Sequence, residues 1–368
     1  MNIKQKLTWA FAIVACLPVV LVAILVVLNL RSEARENFLD GSTREIRQVN
    51  NAMQVFFDSV SQNIEYMANH PLLKNADDGL KSYMSADPSQ IPLSEEDKQL
   101  LALFDGLGKS HPAYSYVSYG VNNGGYVSWP ADQKYGNYDP RVRPWYKTAQ
   151  ANPGKTLRTD DAVMVATVRT VDNKLGAQGG VVSVDVTLKQ LTEIVKQIKL
   201  GDSGYLMLME NSGNLLVDPK QPEHNFKNLD SLGGGYAELA KAGKGLVDVE
   251  INGERYMANI WPSEQLGWTF IGMVKQSEVM KSANQLTWLI AIIAVVLVVV
   301  FGIVGASFAS LIVRPIRGVS SGLEGIAQGN GDLTQNLTVR GRDETAQLAG
   351  WFNQFLGAIR GLIQHIGQ

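Results

Sequence analysis

The sequence predicts an α+β membrane protein: two transmembrane helices, an external long helix followed by two antiparallel αβ modules, and a helical coiled coil inside the cell. Three observations carry that expectation. The first is a pair of uncharged apolar runs, Leu7–Leu30 and Ser282–Val313, of about 24 and about 32 residues. A bilayer core needs about 20 apolar helical residues, so both runs are long enough to span it. The second is helical periodicity beside each run, and the third is a twice-repeated pattern of short strands around glycine turns. The remaining composition is mostly exclusions. With 33 basic and 35 acidic residues the net charge is −2, which lacks the basic excess that phosphate binding needs, so no nucleic acid is expected as partner. A single cysteine, Cys16, excludes an internal disulfide framework and a cysteine zinc site.

Each element follows in chain order. Lys4 and Lys6 precede the first run, and Arg314 and Arg317 follow the second. Basic flanks stay in the cytoplasm, so residues 31–281 are expected outside and 314–368 inside. The boundaries expected are a cytoplasmic 1–7, a span at 8–30, an external domain at 31–281, a span at 286–313 and a cytoplasmic segment at 314–368. The first apolar stretch exceeds the 7–15 residues of a signal-peptide core, so an uncleaved anchor in the lipid bilayer is expected.

Outside the first span, Ile46, Val49, Met53, Phe56, Val60, Ile64 and Met67 recur every three or four residues, which predicts an amphipathic helix. From Arg31 to Asn69 it would run about 60 Å at 1.5 Å per residue. Its surface also suits dimerisation. His70-Pro71 ends it, because the residue before proline avoids the helical region. A second helix is expected through Leu100, Leu101, Leu103, Phe104 and Leu107. Tyr114–Tyr119 and Tyr126–Trp129 around Gly124-Gly125 predict a hairpin, with Val163–Val171 and Gly180–Val186 as further strands. The outline then recurs: Tyr205–Met209 and Leu215–Val217 around Asn211–Asn214, then strands at Gly245–Ile251, Arg255–Trp261 and Trp268–Val274, with an Asn252-Gly253 turn between the first two.

The intracellular stretch has Pro315, then Ile316, Val319, Leu323 and Ile326, a break at Gly329-Asn330-Gly331-Asp332-Leu333, and a resumed pattern at Leu348, Phe352, Phe355, Ile359, Leu362 and Ile366. Two short heptad helices cannot bury their own stripes, so a parallel bundle formed by a homodimer is expected, its first helix starting at Pro315.

Catalytic signatures fail. Gly108-Lys109-Ser110 is the tail of a phosphate loop, but Leu103 stands where its first glycine should be. Gly201-Asp202-Ser203-Gly204 lacks the spacing of a nucleophile elbow. His70, His111, His224 and His365 have no ligand-spaced partner. Neither an enzyme nor a cofactor is expected.

The string Asp139-Pro140-Arg141-Val142-Arg143-Pro144-Trp145-Tyr146, followed by Gly179-Gly180-Val181-Val182-Ser183-Val184-Asp185-Val186, resembles the double Cache sensor domain of bacterial chemoreceptors. The Pro315 segment, the Gly331-Asp332-Leu333 connector and Asp343-Glu344-Thr345-Ala346-Gln347-Leu348 with Phe352-Asn353 resemble a HAMP signal-relay domain. Together they identify the chain as similar to methyl-accepting chemotaxis proteins, without the C-terminal signalling region that such receptors carry. The resemblance implies PAS-like αβ modules, a periplasmic sensor anchored in the inner membrane, a small-molecule ligand, and a homodimer acting on a chemotaxis kinase and coupling protein. Sensor histidine kinases and cyclic-dinucleotide enzymes share this input architecture, and a membrane-anchored scaffold is a third reading.

The resemblance also implies a site in the membrane-distal module. Tyr138, Arg143, Trp145, Tyr146 and Asp185 match its lining positions. Asp185 on an apolar strand would suit a ligand ammonium, because a lone buried charge is costly; Trp145 and Tyr146 would add cation–π attraction. Arg143 would grip a carboxylate with two parallel hydrogen bonds. Otherwise Asp185 pairs with Arg143 or Arg169 and the aromatics are core. Tyr116, Tyr119, Tyr126 and Trp129 add aromatic surface, which favours an amine over an amino acid. The resembling receptors carry several more residues between the positions of Thr159 and Asp160, with an aromatic pocket residue; either Asp160 and Asp161 fill that gap or the pocket is damaged.

Overall fold

A computed structural model describes residues 3–131, 135–161, 164–196, 198–328, 333, 336–338 and 343–366. The chain divides into residues 35–280 and a second unit of residues 1–34 with 281–368. Each is described by itself.

Helix α1 (Ile3–Asn69) is continuous, so the first apolar run and the amphipathic stretch are one helix. The buried stripe of its outer part is Ile46, Val49, Met53, Phe57, Val60, Ile64 and Met67. Phe57 replaces the expected Phe56: it is 3% exposed and meets Trp268 edge-on at 5.5 Å, while Phe56 is half-buried. A 3.6-residue period admits either neighbour, and the shape of the opposing sheet decides. As expected the helix ends before His70, which caps the short α2 (Pro71–Lys74). Helix α3 (Glu95–Ser110) starts in a reciprocal cap. Ser94 Oγ accepts from Asp97 N–H at 3.0 Å, and the Asp97 carboxylate accepts from Ser94 N–H at 2.8 Å.

The first module is a five-stranded antiparallel sheet of β1 (Tyr116–Val121), β2 (Tyr126–Trp129), β3 (Leu157–Asp161), β4 (Met164–Asn173) and β5 (Gly176–Thr187), in the order β2-β1-β5-β4-β3. Helix α4 (Pro144–Gln150) precedes β3, and α5 (Leu188–Lys196) leads to the second module. That module repeats the plan with β6 (Tyr205–Glu210), β7 (Leu215–Val217), helix α6 (Gly234–Ala242), β8 (Gly245–Ile251), β9 (Glu254–Ser263) and β10 (Trp268–Lys275), in the order β7-β6-β10-β9-β8. The short α7 (Gln276–Val279) closes this unit. The expected strands are all present except that Val163 lies outside the described residues; β3 and helices α4, α5 and α6 were not foreseen.

Strand alternation gives each sheet two faces. In the first, Val117, Tyr119, Val121, Val182, Val184 and Val186 share one core with the α1 stripe. In the second, Leu206, Leu208, Trp268 and Phe270 join that same core. Long helix and two inner sheet faces therefore form one apolar layer. At 25 cal/mol per Å², burying each Val, Leu or Phe there contributes about 1.5–3 kcal/mol.

The contact between α1 and the second sheet also carries buried polar groups. Asn259 Nδ2 donates to Ser42 Oγ at 2.9 Å and to Thr43 Oγ1 at 2.8 Å, and Ser263 Oγ donates to Asn50 Oδ1 at 2.6 Å. At the module junction Arg158 of β3 donates to the carbonyls of Gln265 and Leu266 and lies over the Phe57 and Trp268 rings.

In the other unit, the Ile3–Asn69 and Lys281–Ala327 helices each contain a segment long and apolar enough to cross a membrane. The second of these, α8 (Lys281–Ala327), runs through Pro315 rather than starting there. A proline removes one hydrogen bond and crowds the preceding turn, which the surrounding helix here tolerates. Helix α9 (Glu344–Ile366) follows, and Val319, Phe352 and Leu356 bury one another beside Ile326, Leu333 and Leu337. A Cβ on Gly322 would come within 2.5 Å of the Phe352 ring, so that approach requires glycine. Asn353 clamps the connector, donating to Leu337 O and accepting from Leu337 N–H, both at 2.8 Å. The expected break at Gly329-Asn330-Gly331-Asp332 lies outside the described residues. Leu323, Leu348, Phe355 and Leu362 of the expected stripes are exposed in the single chain.

Candidate ligand-binding site

The outer face of the first sheet bounds a cavity of about 790 Å³. Its floor is set by strand register: Tyr116 of β1, Asp185 of β5 and Ala166 of β4 lie side by side across three strands. Tyr126 on β2, Tyr138, Arg143 and Trp145 add an aromatic and cationic side, with α5 opposite. Helix α4 can approach because residue 120 is glycine; a Cβ there would be 2.9 Å from Pro140 Cβ and 3.1 Å from the Trp145 ring. The approach to α4 is ordered by Asp139, whose carboxylate accepts from Arg141 N–H at 2.9 Å and holds the Arg141 guanidinium at 2.8 Å. That guanidinium holds the Asp139 carboxyl below its ordinary range.

The aromatic wall is dense. The Tyr126 ring lies 4.7 Å from Tyr138 and 5.3 Å from Tyr135, and Tyr135 and Tyr138 are 5.1 Å apart. The Arg143 guanidinium sits over the Tyr138 ring at 4.6 Å. Burial raises the phenols of Tyr126, Tyr135 and Tyr138, so they stay neutral donors at physiological pH. Beneath them, Tyr126 Oη donates to Ser118 Oγ at 3.0 Å, Ser118 meets Ser128 at 3.0 Å, and Ser183 Oγ donates to Asp185. A half-buried carboxylate, a guanidinium and neutral aromatic faces are the complement of a small molecule with an ammonium group, with or without a carboxylate.

Six of the residues singled out from sequence, Tyr116, Tyr126, Tyr138, Arg143, Trp145 and Asp185, line this cavity. Tyr146 and Trp129 do not. Tyr146 is 4% exposed in the core between α4 and the sheet, about 100° around the helix from Trp145. Trp129 pairs with Val117, so it shares the inner face. Its ring fills the space above Gly108, and its Nε1 donates to Asp105 at 3.0 Å. Tyr119 is likewise on the inner face, fully buried, its hydroxyl donating to Leu73 O. The side chains of Asp160 and Asp161 lie outside the described residues; the β3–β4 ladder runs up to the pair Asp161 and Met164. Arg169, offered as a partner for Asp185, turns toward α1 and pairs with Glu65 at 3.6 Å. Sequence reasoning missed Tyr135, the polar face of α5 (Thr192, Glu193, Lys196), and the wall formed by Pro222, Asn225 and Phe226. Tyr135 had a signal, being three residues from Tyr138 in a segment otherwise polar; the others had none.

Comparisons with known proteins give the family and the fold. Residues 30–283 match the Cache domain family, and residues 307–361 match the HAMP domain. The chain belongs to the Cache domain family. The chain is also similar to curated methyl-accepting chemotaxis proteins. Methyl-accepting chemotaxis protein McpA of Pseudomonas putida is 30% identical over 271 residues, covering 69% of this chain and 41% of the relative. McpA of Bacillus subtilis is 22% identical over 370 residues, covering 99% of this chain and 52% of the relative. The chain thus spans about half or less of the length of these relatives. Among solved structures, the ligand-binding domain of the amino acid chemoreceptor PctB of Pseudomonas aeruginosa PAO1, in complex with L-Arg, superposes with a TM-score of 0.53 at 23% identity, covering 66% of this chain and 97% of that one. The ligand-binding domain of Mlp24 with asparagine gives 0.52 at 19%, covering 69% and 99%. At those identities the likeness establishes the fold of the Cache region alone; in the chain that region lies between two candidate membrane helices and is followed by the HAMP match. The matched domains are sensory ones.

Proposed function

We propose that this Cache region binds a small extracellular amine or amino acid in the cavity over β5, and that the chain passes the binding event across the bacterial inner membrane toward a chemotaxis kinase. The observation that carries the reading is Asp185. It is a carboxylate on the middle strand of the first sheet, at the floor of a cavity walled by Tyr116, Tyr126, Tyr138 and Trp145. A ligand ammonium would neutralise it against that wall, and Arg143 would take a carboxylate if the ligand is an amino acid. The ligand-binding domains of PctB, in complex with L-Arg, and of Mlp24, with asparagine, support the same ligand chemistry. The relatives being chemotaxis proteins supports a kinase and coupling protein as output, reached through a homodimer whose exposed Leu348, Phe355 and Leu362 would pair between copies. In this reading residues 31–281 face the periplasm and 314–368 the cytoplasm.

The test is a thermal-shift screen of the purified chain against amines and amino acids. A true ligand at 100 times its dissociation constant stabilises the Cache region by about 2.7 kcal/mol. Failure of every cationic and zwitterionic compound to raise the melting temperature would end the proposal.

A further inference from the structure

The cavity of the first module has one wall that the second module supplies. Pro222, Asn225 and Phe226 line it, and all three stand on the turn after β7. Phe226 has φ of +70° and is 42% exposed. A left-handed backbone is strained for a bulky L-residue. The strain gains the loop no buried aromatic, so the packing of the loop alone does not account for it. Strain of this kind persists where neighbouring contacts enforce it, and it gathers at functional sites.

The enforcing contacts are present. Phe226 N–H donates to Leu215 O at 2.6 Å, and Leu215 N–H donates back to Lys227 O at 2.9 Å. Asn225 Oδ1 accepts from Asp218 N–H at 2.8 Å, which leaves the Asn225 amide nitrogen as the donor that a cavity occupant would meet. Asp218 is fully buried and accepts from Tyr236 Oη of α6 at 2.9 Å and from the N–H groups of Lys220 and Gln221. The turn is a stiff bracket, and its two tips face the cavity of the other module.

We propose that Asn225 and Phe226 are ligand-contacting, specificity-determining residues, lent by the second module to the site of the first. They select amines or amino acids long enough to reach from Asp185 to the turn. This rests on the cavity being the ligand site. The volume of about 790 Å³ favours it, since pockets near the upper end of the usual 300–1,000 Å³ range enclose molecules larger than a short amino acid. A long ligand would then bridge the two modules directly, and Asn225 would hand its contact to Asp218 and α6.

Two measurements on the full chain test this. In a Cys16→Ser background, Phe226→Cys provides a single thiol for a bimane label, whose emission indole quenches on contact. Quenching that Trp145→Phe relieves places residue 226 on the cavity wall; equal emission with and without Trp145 refutes the wall, whatever the ligand. Calorimetry with L-arginine and L-alanine then tests selection. Phe226→Ala and Phe226→Gly should weaken L-arginine about tenfold, a change of about 1.4 kcal/mol, and leave L-alanine unchanged. Phe226→Gly should not lower the melting temperature, because glycine accepts positive φ without strain. Equal weakening of both probes, or of neither, overturns the selection. If neither probe binds the unsubstituted chain, selection among amino acids is overturned, while the thermal-shift screen decides the site reading and the fluorescence result decides the wall.

Discussion

The two modules of the Cache region share a strand order and differ in what lies on their outer faces. In the first, the row Tyr116–Asp185–Ala166 runs across β1, β5 and β4 beneath an open cavity. In the second, the corresponding row across β6, β10 and β9 is Tyr205–Met273–Ala258. Tyrosine and alanine recur at its ends, and the central carboxylate is replaced by a methionine that is 0% exposed. The outer face there is filled by Met207, Ile271 and Leu239 of α6. The module also supplies its own cation: the Lys220 ammonium lies over the Tyr205 ring at 4.3 Å and the Tyr256 ring at 5.2 Å, and donates to Ser203 O at 3.3 Å. In the proposed reading one scaffold serves as a receptor where a strand carboxylate faces a cavity, and as a closed spacer where the same position is apolar and a lysine occupies the aromatic faces.

The comparison breaks most visibly if the two central residues are exchanged one at a time. Met273→Asp puts a charge into a sealed apolar face and should cost about 4 kcal/mol or more, a large share of a stability of about 5–15 kcal/mol. Chemical denaturation would register it, and a variant as stable as the parent would show that the second outer face is not closed. Asp185→Asn should leave the fold intact and cost about 2–5 kcal/mol in binding of a cationic ligand found in the thermal-shift screen, read by calorimetry. Unchanged affinity would make Asp185 a structural residue and dissolve the contrast between the rows. Lys220→Met should have the smallest effect. Loss of an exposed cation–π contact is worth about 0.5–1 kcal/mol, so the melting temperature should fall by about 1–4 °C with ligand affinity preserved. A fall in affinity equal to that of Asp185→Asn would mean that the lysine serves the first site.

Much of this was legible in residue patterns, and the failures have physical causes. Strand and helix stripes came through because periodicity is local. Period 2 holds more than the sequence reading uses: Tyr116 and Tyr119, like Tyr126 and Trp129, are three apart on a strand, so one of each pair must face the inner, helix-covered side. Tyr119 and Trp129 went there. Phe57 displaced Phe56 because adjacent residues near a helical stripe differ only in what opposes them. Helices α5 and α6 are short, and their pattern is too brief to separate from loop. The Pro222–Phe226 wall lies far along the chain from Asp185, and nothing in local sequence encodes that meeting. The HAMP resemblance implies a helix start at Pro315, yet the long helix α8 carries that proline within.

The polar contacts between α1 and the second sheet have a mechanical consequence. Two apolar surfaces can slip past each other with little change in energy, since dispersion contacts are exchanged for similar ones. Asn259 with Ser42 and Thr43, and Ser263 with Asn50, act instead as detents. A slide of less than one 5.4 Å turn would leave these groups unpaired in a region closed to water, at about 1–3 kcal/mol for each. The outer part of α1, residues 35–69, and the second sheet therefore share one axial position, and a push on that sheet is borne by this stretch of the helix.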